Sequence, residues 1–369
     1  MKKQSDTWIV AITLFNLPGD IWYKGYSTII PMAIPGPNPP GVIESFFYVL
    51  FQDMTKASEG IWIWDAVDSA YFVMHAHLCM VTGDMLGSAK CSGMAGHSAV
   101  FGDRFSLVQG AHSKTTKRAK SQYYPMSPPD NDKKEYNPGH PTYNFNDLPM
   151  QTESHYWSTI EKLIKASNNA KVTSKIVRAT GISHLPLCAT SLAFSHPNFF
   201  PLDPLHLFYE NCMAFIWDLW TESKPDDVFY IPQEKLRDFG ILVSQAVSTL
   251  PASFCGPIHD IFLKRHSQYK IYEWMALLHW YVIPIGTELG FDSKVLQNFA
   301  CFAQAIEFAM TLKPRSTDEL LGLHQLIVEF LQGFEKLYVG SNPENILRCR
   351  LCIFQLIHVP QHILWNGNI

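Results

Sequence analysis

The chain has 369 residues, of which 47% are apolar and 17% charged, and its formal net charge at pH 7 is −4. This composition excludes an intrinsically disordered chain and provides apolar side chains for more than one globular domain. The small negative charge excludes a surface that is basic throughout, but it is compatible with a local basic patch for phosphate groups.

Residues 1–17, MKKQSDTWIVAITLFNL, have only a superficial likeness to a signal peptide. Their apolar run is short and lies between Asp6 and Pro18, so we predict a strand and not a targeting segment. No stretch has the roughly 18 consecutive apolar residues that a membrane-spanning helix needs. Eight irregularly spaced cysteines are typical of buried thiols in a reducing compartment. We therefore expect a soluble intracellular protein with no membrane partner.

The N-terminal part alternates predicted strands with one helix. Residues 8–17 are rich in β-branched and aromatic side chains and predict a strand, as do residues 61–66. Residues 44–58 have helical apolar spacing and end before Gly60, a suitable C-cap. Residues 71–84, YFVMHAHLCMVTGD, are apolar at both alternating positions, which predicts a central strand covered on both faces.

The composition changes at residue 107 to a turn-rich connection that lasts to residue 155, and the pattern is helical after it. The predicted helices are 153–167, 169–180, 204–222, 233–250, 257–287, 292–312, 316–338 and 343–364. Ser316 and Glu319 have the spacing of a capping box. We predict an α+β chain with an α/β portion at 1–106, a connection at 107–155 and a helical domain at 156–369.

Residues 83–106, GDMLGSAKCSGMAGHSAVFGDRFS, are rich in glycine but match neither familiar phosphate-binding loop. GxGxxG is absent, and the segment does not complete GxxxxGK[ST]. Asp84 follows a predicted central strand, at the edge where active-site carboxylates of α/β sheets commonly lie. An aspartate after glycine also suits a turn or an N-cap. Asp84 is therefore a candidate catalytic residue with a structural alternative.

Histidine and cysteine pairs are weaker candidates for metal sites. His75 and His77 share a strand face and His97 follows, but the ligand set that zinc needs is incomplete. Cys349 and Cys352 form an isolated CxxC in an apolar helix, which indicates two core thiols.

Residues 203–210 hold a further polar group on a predicted helix. Asp203 suits the N-cap position, and His206 and Glu210 share a face at a spacing of i, i+4. The pair is compatible with a functional site and with a hydrogen-bonded pair that fixes helix packing.

Two basic stretches are candidate DNA-binding segments. Basic side chains near aromatic ones suit a phosphate backbone, although a solvated surface gives the same pattern. The first stretch contains Lys114, Lys117, Arg118 and Lys120, followed by Tyr123 and Tyr124. The second contains Lys162, Lys165, Lys171, Lys175 and Arg178, with little acid among them.

Short segments over nearly the whole chain form one ordered set. They are FNLPGD, IPGPNPPG, EGIWIWDA, GDMLGSAKCSGMAGHSA, GHPTYNF, FFPLDPLHLFYEN, PASFCG, YKIYEWM and CIFQLIHVP. The set resembles the transposase-like proteins of CACTA (En/Spm-type) DNA transposons, in the form abundant in mushroom-forming fungi.

The resemblance implies an RNase H-like catalytic core interrupted by a helical insertion, DNA as a partner and a nuclear location. Three carboxylates of such a core hold divalent metal, usually Mg²⁺, which takes oxygen ligands and promotes displacement at phosphorus. The Gly-Asp that precedes a small-residue turn in the family is similar to Gly83–Asp84. The resemblance therefore implies that Asp84 is a metal ligand and a catalytic acid.

The chain also departs from the family pattern. The first catalytic aspartate of the family precedes the segment that begins here at Asp6, and the family continues beyond HILWNGNI at the C-terminus. GDRFS stands where relatives often have cysteines, which argues against a zinc knuckle. We therefore expect a chain truncated at both ends that does not transpose DNA by itself. Asp203 and Glu210 are weaker candidates to replace a missing acid.

Two other functions stay open at this point. The first is an active Mg²⁺-dependent nuclease or strand transferase that combines Asp84 with Asp65, Asp68, Asp203 or Glu210. The second is a helical module that binds a protein partner or a second copy through an exposed apolar face. Because a truncated sheet exposes strand edges and apolar faces, we also expect poor solubility.

Overall fold

A computed structural model describes residues 7–22, 24–36, 40–112, 122–129, 140–247 and 258–367. The chain forms two compact units. The first comprises Met1–Cys79 and Leu185–Phe194, and the second comprises Met80–His184 and Ser195–Ile369. The chain is α+β, with small antiparallel sheets and a mostly helical C-terminal half. The domain boundaries expected near residues 106 and 155 remain a prediction.

The first unit contains two β-hairpins and one long helix. Strands β1 (Thr7–Thr13) and β2 (Thr28–Pro35) pair antiparallel. Helix α1 (Glu44–Glu59) ends at Gly60, as its sequence predicts. Strands β3 (Ile61–Asp65) and β4 (Ala70–Met74) form the second hairpin.

The predicted central strand over 71–84 is wrong beyond Met74. Strand β4 ends there, and residues 75–84 are irregular. Apolar alternation indicates which residues suit a strand, but a ladder also needs the backbone of a neighbouring strand. The sheets of the described residues are two-stranded and antiparallel. An RNase H-like core remains a prediction.

The second unit begins with short elements and continues as helices. Helix α2 is Met85–Cys91, and strand β5 (Ala111–His112) pairs with β6 (Gln122–Tyr123). Helices α3 (Glu153–Lys165) and α4 (Ala170–Thr180) follow. The later helices are α5 Ala214–Glu222, α6 Gln233–Val247, α7 Ile261–Gln268, α8 Ile271–Ala276, α9 Val282–Glu288, α10 Ser293–Met310, α11 Thr317–Phe334, α12 Leu351–Gln355 and α13 Val359–Asn366. π-Helical turns cover Leu205–Met213, Leu277–Tyr281 and Glu335–Val339, and 3₁₀ turns cover Gly19–Ile21, Leu187–Thr190, Pro343–Arg348 and Leu356–His358.

The helical pattern after residue 152 is confirmed for the described residues, with local interruptions, and residues 248–250 of the helix predicted over 233–250 lie outside them. The capping box of α11 is present, since Glu319 N–H donates to Ser316 Oγ at 3.2 Å and Ser316 N–H donates to Glu319 Oε2 at 2.9 Å. The predicted helix over 257–287 divides at Tyr269–Lys270. The buried carboxylate of Glu273 accepts the Lys270 N–H at 2.8 Å and starts a new helix there.

The core of the second unit is rich in aromatic side chains. Trp217, Trp220, Phe239 and Phe299 are fully buried in it, and Trp220 Nε1 donates to Tyr338 Oη at 2.7 Å. Burial of such side chains is the main stabilising contribution to a fold of this kind.

The expected connection over 107–155 contributes to the same core. Tyr124, Met126 and Phe145 are buried there, so the described part of this segment packs as domain interior. Residues 113–121 and 130–139 lie outside the described residues. Among the helices that are described, none is long and apolar enough to cross a membrane.

Candidate nucleic-acid interface

Helices α3 and α4 form a pair joined by the turn of residues 166–169. Tyr156, Ile160 and Leu163 fix α3, because their side chains are buried on one face. Asn169 caps α4, and its side-chain oxygen accepts the Val172 N–H at 3.2 Å. Thr173 Oγ1 donates to the carbonyl of Ala166 at 2.9 Å, which ties α4 to the turn. A short turn between two helices is typical of helical hairpins and helix-turn-helix motifs.

Helix α4 lies at the surface, and no residue of it is fully buried. Its half-buried side chains are Thr173, Ile176, Val177 and Thr180, which recur at helical spacing. The opposite face is therefore open to solvent along the whole helix.

The open face of α4 is basic. Lys171, Ser174, Lys175 and Arg178 lie on it at i, i+3, i+4 and i+7, and all four are exposed. Helix α4 contains no acidic residue. Within the described part of the chain, no carboxylate forms an ion pair with Lys171, Lys175 or Arg178. The three charges are thus available to an anionic ligand.

The C-terminus of α4 is fixed by the glycine-rich stretch at 83–106. Gly181 ends the helix at φ +73°, and its carbonyl accepts the Ala95 N–H at 2.8 Å. Gly93 accepts the Ser183 N–H at 2.8 Å, and a Cβ at Gly93 would lie 2.3 Å from the His184 carbonyl oxygen. This stretch needs glycine because two backbones approach closely, as expected for φ > 0 positions.

The first basic stretch lies outside the described residues. Lys114, Lys117, Arg118 and Lys120 fall within 113–121. Their expected contact with DNA stays a prediction.

Asp84 has a structural role as the N-cap of α2, the alternative that its sequence position left open. Its carboxylate Oδ1 accepts the Gly87 N–H. A role of Asp84 as catalytic acid or metal ligand stays a prediction.

Asp203 also caps a helix start. Its Oδ1 accepts the N–H groups of Leu205 and His206 at 3.1 and 3.2 Å, and its Oδ2 lies 2.6 Å from His206 Nδ1. Glu210 Oε2 lies 3.6 Å from His206 Nε2. Asp203, His206 and Glu210 thus form a half-exposed group at one helix start. Catalysis by Asp203 or Glu210 stays a prediction.

Asp65 and Asp68 lie at the β3–β4 turn of the first unit. Asp65 Oδ1 accepts the Val67 N–H at 2.8 Å and the Asp68 N–H at 3.3 Å, which closes the hairpin. Mg²⁺ in a phosphoryl-transfer site needs several convergent oxygen ligands. Across the residues that the structure describes, no three His, Cys, Asp or Glu side chains are placed to share a metal ion. Among the described residues of the first unit, Asp65 and Asp68 thus do not form a carboxylate-held Mg²⁺ site by themselves.

The two histidine candidates lie at the surface of the first unit, and the two cysteine candidates are buried in the second unit. His75 and His77 are exposed with their rings stacked at 6.4 Å, and His75 Nδ1 lies 3.1 Å from the Ser58 carbonyl oxygen. Cys349 and Cys352 are both buried. The interpretation of this CxxC as two core thiols is confirmed.

Sequence reasoning missed a buried polar cluster around Asp103. Its carboxylate Oδ2 accepts from Ser106 Oγ at 2.7 Å and from His358 Nε2–H at 2.9 Å, and Oδ1 accepts from Gln355 Nε2 at 3.3 Å. Burial alone would raise the pKa of Asp103. The attraction of His358 and the hydrogen bonds from His358, Ser106 and Gln355 outweigh burial and lower that pKa. Gln355 and His358 are 252 and 255 positions from Asp103 in sequence, so no local pattern signals their contact with it.

Comparison with known protein families finds a match in the N-terminal part of the chain. Residues 1–124, about a third of the chain, match the model of the transposase family tnp2. The match supports a transposase-like protein. It covers the first two β-hairpins, α1 and α2, and it ends before α3 and α4. No curated protein matches the chain.

Proposed function

We propose that this chain is a transposon-derived protein that binds DNA through α4 and has no complete carboxylate centre of its own for strand transfer. The match of residues 1–124 supports an origin in a transposable element. The ordered segments support the CACTA type, a fungal origin and a nuclear location.

The open face of α4 is the observation that carries DNA binding. Lys171, Lys175 and Arg178 are exposed in one row without an acidic neighbour on the helix. Phosphate contacts by such side chains supply most of the affinity of sequence-independent DNA binding. The net charge of −4 makes a local interface of this kind more plausible than a general affinity for polyanions.

The placement of the candidate carboxylates supports the catalytic part of the proposal. Asp84 and Asp203 cap helices, and Asp65 closes a hairpin turn. Each of these carboxylates therefore already has backbone N–H partners. In-line phosphoryl transfer with two metal ions needs carboxylates that converge on a shared ion.

The test of binding is fluorescence anisotropy of a labelled mixed-sequence DNA duplex with the full chain at several salt concentrations. The triple variant Lys171→Gln, Lys175→Gln, Arg178→Gln is expected to bind DNA more weakly. The slope of its log association constant against log salt concentration should be shallower by about 0.9 for each phosphate contact that is lost. A matched control is Lys294→Gln with Lys336→Gln, since both lysines are exposed and lie on other helices. Equal binding by the triple variant and the control would contradict the assignment to α4.

Catalysis is tested with the same duplex in Mg²⁺ or Mn²⁺, using wild type and Asp84→Asn. Asparagine retains an N-cap oxygen for the Gly87 N–H but removes the charge that a metal needs. We expect no metal-dependent cleavage by either protein. Cleavage by wild type that Asp84→Asn abolishes would show a working carboxylate centre and would overturn this part of the proposal.

A further inference from the structure

We infer that α4 enters the major groove of duplex DNA, with the face formed by Lys171, Ser174, Lys175 and Arg178 toward the base pairs. This inference rests on the proposed function, since it specifies how the same helix binds. It concerns the form of nucleic acid and the groove that the helix contacts.

The shape of α4 suits a groove. No residue of the helix is fully buried, so one whole face of it is open at the surface between the α3 turn and Gly181. Ala170, Thr173, Ser174, Ala179 and Thr180 are small and keep the helix narrow. An α-helix with side chains is about 10–12 Å across, and the major groove of B-DNA is about 12 Å wide. The minor groove, about 6 Å wide, is too narrow for such a helix.

The spacing of the charges also suits the major groove. Lys171 and Arg178 are seven residues apart, which corresponds to about 10 Å along the helix axis. With the helix axis along the groove, this length corresponds to about three base-pair steps of roughly 3.4 Å each. The four side chains therefore lie along successive base pairs, where the Lys and Arg side chains can contact base edges or the adjacent phosphates.

Other nucleic acids fit this face less well. Proteins that bind single strands combine basic grooves with exposed aromatic side chains on which bases stack. Helix α4 contains no aromatic residue. The major groove of A-form RNA is deep and narrow, and side chains cannot read it. A regular duplex of DNA is therefore the ligand that the helix selects.

The fixed ends of α4 favour entry as a rigid body. The N-cap Asn169 and the hydrogen bond from Thr173 to Ala166 hold the N-terminal end of α4. At the C-terminal end, the Gly181 carbonyl accepts a hydrogen bond from the Ala95 N–H. A helix that is already ordered loses little conformational entropy when it binds.

The experiment compares blocked grooves on one duplex, with the full-length protein. The ligands are a duplex in which A·T tracts alternate with C·G pairs, the same duplex with glucosylated 5-hydroxymethylcytosines that project into the major groove, and the same duplex with netropsin, which fills the minor groove of the A·T tracts. Glucosylation leaves the phosphate charge unchanged. We expect it to weaken binding by about tenfold or more, comparable to the loss of one good base-edge contact. Netropsin is expected to change the affinity less than twofold, since a helix in the major groove leaves the minor groove free.

Variants make the result specific to α4. In the triple variant Lys171→Gln, Lys175→Gln, Arg178→Gln, the residual affinity should no longer respond to glucosylation, whereas Lys294→Gln with Lys336→Gln should respond as wild type does. Circular dichroism checks that α4 substitutions leave the helix content unchanged.

The possible results distinguish entry of α4 into the major groove from DNA binding by α4 in general. Duplex binding that is insensitive to glucosylation, or blocked by netropsin, overturns the major-groove inference and leaves DNA binding by α4 in place. Stronger binding to a single strand of the same length also overturns it. No binding of wild type to any DNA overturns both the inference and the proposed function.

Discussion

His358 Nε2 lies 2.9 Å from Asp103 Oδ2, and the two side chains, 255 positions apart in sequence, are almost completely buried. The contact joins the segment after α2 to the C-terminal helices of the second unit. Phe105 adds aromatic contacts between the same two segments, since the centroid of its ring lies 5.2 Å from that of His358 and 4.5 Å from that of His362. Removing the carboxylate leaves the buried donors of His358, Ser106 and Gln355 without their acceptor.

Asp103→Asn should therefore destabilise the second unit by about 1–3 kcal/mol at pH 7, the cost of leaving buried polar groups without their partners. The amide presents N–H donors where the carboxylate accepted from His358 and Ser106. Urea unfolding followed by tryptophan fluorescence measures the loss, because Trp217 and Trp220 lie in the core. The control is Asp226→Asn at an exposed position, which should change the stability by less than about 0.5 kcal/mol. Similar losses for the two variants would contradict a role of the buried pair.

The same cluster predicts a loss of stability in acid. The pKa of Asp103 is lowered in the folded state, so its contribution is present above the ordinary pKa of 3.8 and is lost as the pH falls toward the folded value. The difference in the free energy of unfolding between wild type and Asp103→Asn should therefore become smaller in strong acid. An unchanged difference down to pH 2 would be inconsistent with a charged Asp103.

The burial of His196 predicts a second loss of stability, which begins at a higher pH than the loss due to Asp103. Its ring is buried, neither nitrogen has a hydrogen-bond partner among the described residues, and it stacks on Tyr156 at 4.1 Å. Burial, reinforced by the charges of Arg104 and His155, lowers the pKa of His196 to about 3. Because the unfolded chain takes up this proton below about pH 6.5, each pH unit below that value should cost about 1.4 kcal/mol.

His196→Phe removes this proton uptake and keeps an aromatic ring against Tyr156. We expect a free energy of unfolding close to that of wild type at pH 7. At pH 5 it should exceed the wild-type value by about 2 kcal/mol, because the variant avoids the loss that wild type incurs over the roughly 1.5 pH units below pH 6.5. Urea midpoints at the two pH values measure it. The replacement His97→Gln serves as the comparison, since this histidine of the second unit is exposed to solvent. Parallel pH profiles for wild type and His196→Phe would refute the argument.

The sequence predicts local features of the candidate interface well. Helices α3 and α4 begin and end within two residues of their expected bounds, because Asn169 and Gly181 act as caps through neighbouring atoms. The basic row follows from the helical spacing of Lys171, Lys175 and Arg178. Neither feature depends on distant parts of the chain.

Contacts between distant segments could not be predicted in this way. The Asp103 cluster joins residues about 250 positions apart, and a single sequence carries no signal for such a pairing. The strand predicted beyond Met74 is wrong for the same reason, since strand formation depends on contacts with other segments of the chain. Residues 75–84 have strand-like alternation, but whether they pair depends on a neighbouring backbone and not on their own side chains.

The β3–β4 hairpin of the first unit predicts self-association at high concentration. Trp62 is 73% exposed and Tyr71 67% exposed, and they lie on one face with Trp64, whose ring is 5.0 Å from that of Tyr71. Exposed aromatic clusters of this size are aggregation-prone. Trp62→Thr with Tyr71→Thr keeps strand propensity and removes most of the apolar area.

This double variant should increase the soluble fraction and lower light scattering, with unchanged circular dichroism. Leu312→Gln is the control, since Leu312 is 83% exposed but belongs to the second unit and not to this hairpin. It should have little effect, because single exposed apolar residues are common on protein surfaces. An equal improvement from Leu312→Gln would show that the hairpin face is not the cause.

Gly181 links the stability of α4 to the proposed interface. Its φ of +73° disfavours any side chain, and a Cβ would lie 2.0 Å from the carbonyl oxygen of Phe101. Gly181→Ala must therefore shift the backbone at the end of α4. We expect a loss of roughly 1–3 kcal/mol, typical of a non-glycine residue forced into this region, together with weaker DNA binding.

Gly322 provides the opposite control. It lies inside α11 at an exposed position, and a Cβ there meets no atom within 4 Å. Gly322→Ala should raise the stability by about 0.5–1 kcal/mol, because alanine loses less backbone entropy in a helix. DNA binding by this variant should equal that of wild type. If Gly181→Ala were to bind DNA as wild type does in spite of its lower stability, the fixed C-terminal end of α4 would not be needed for the interface.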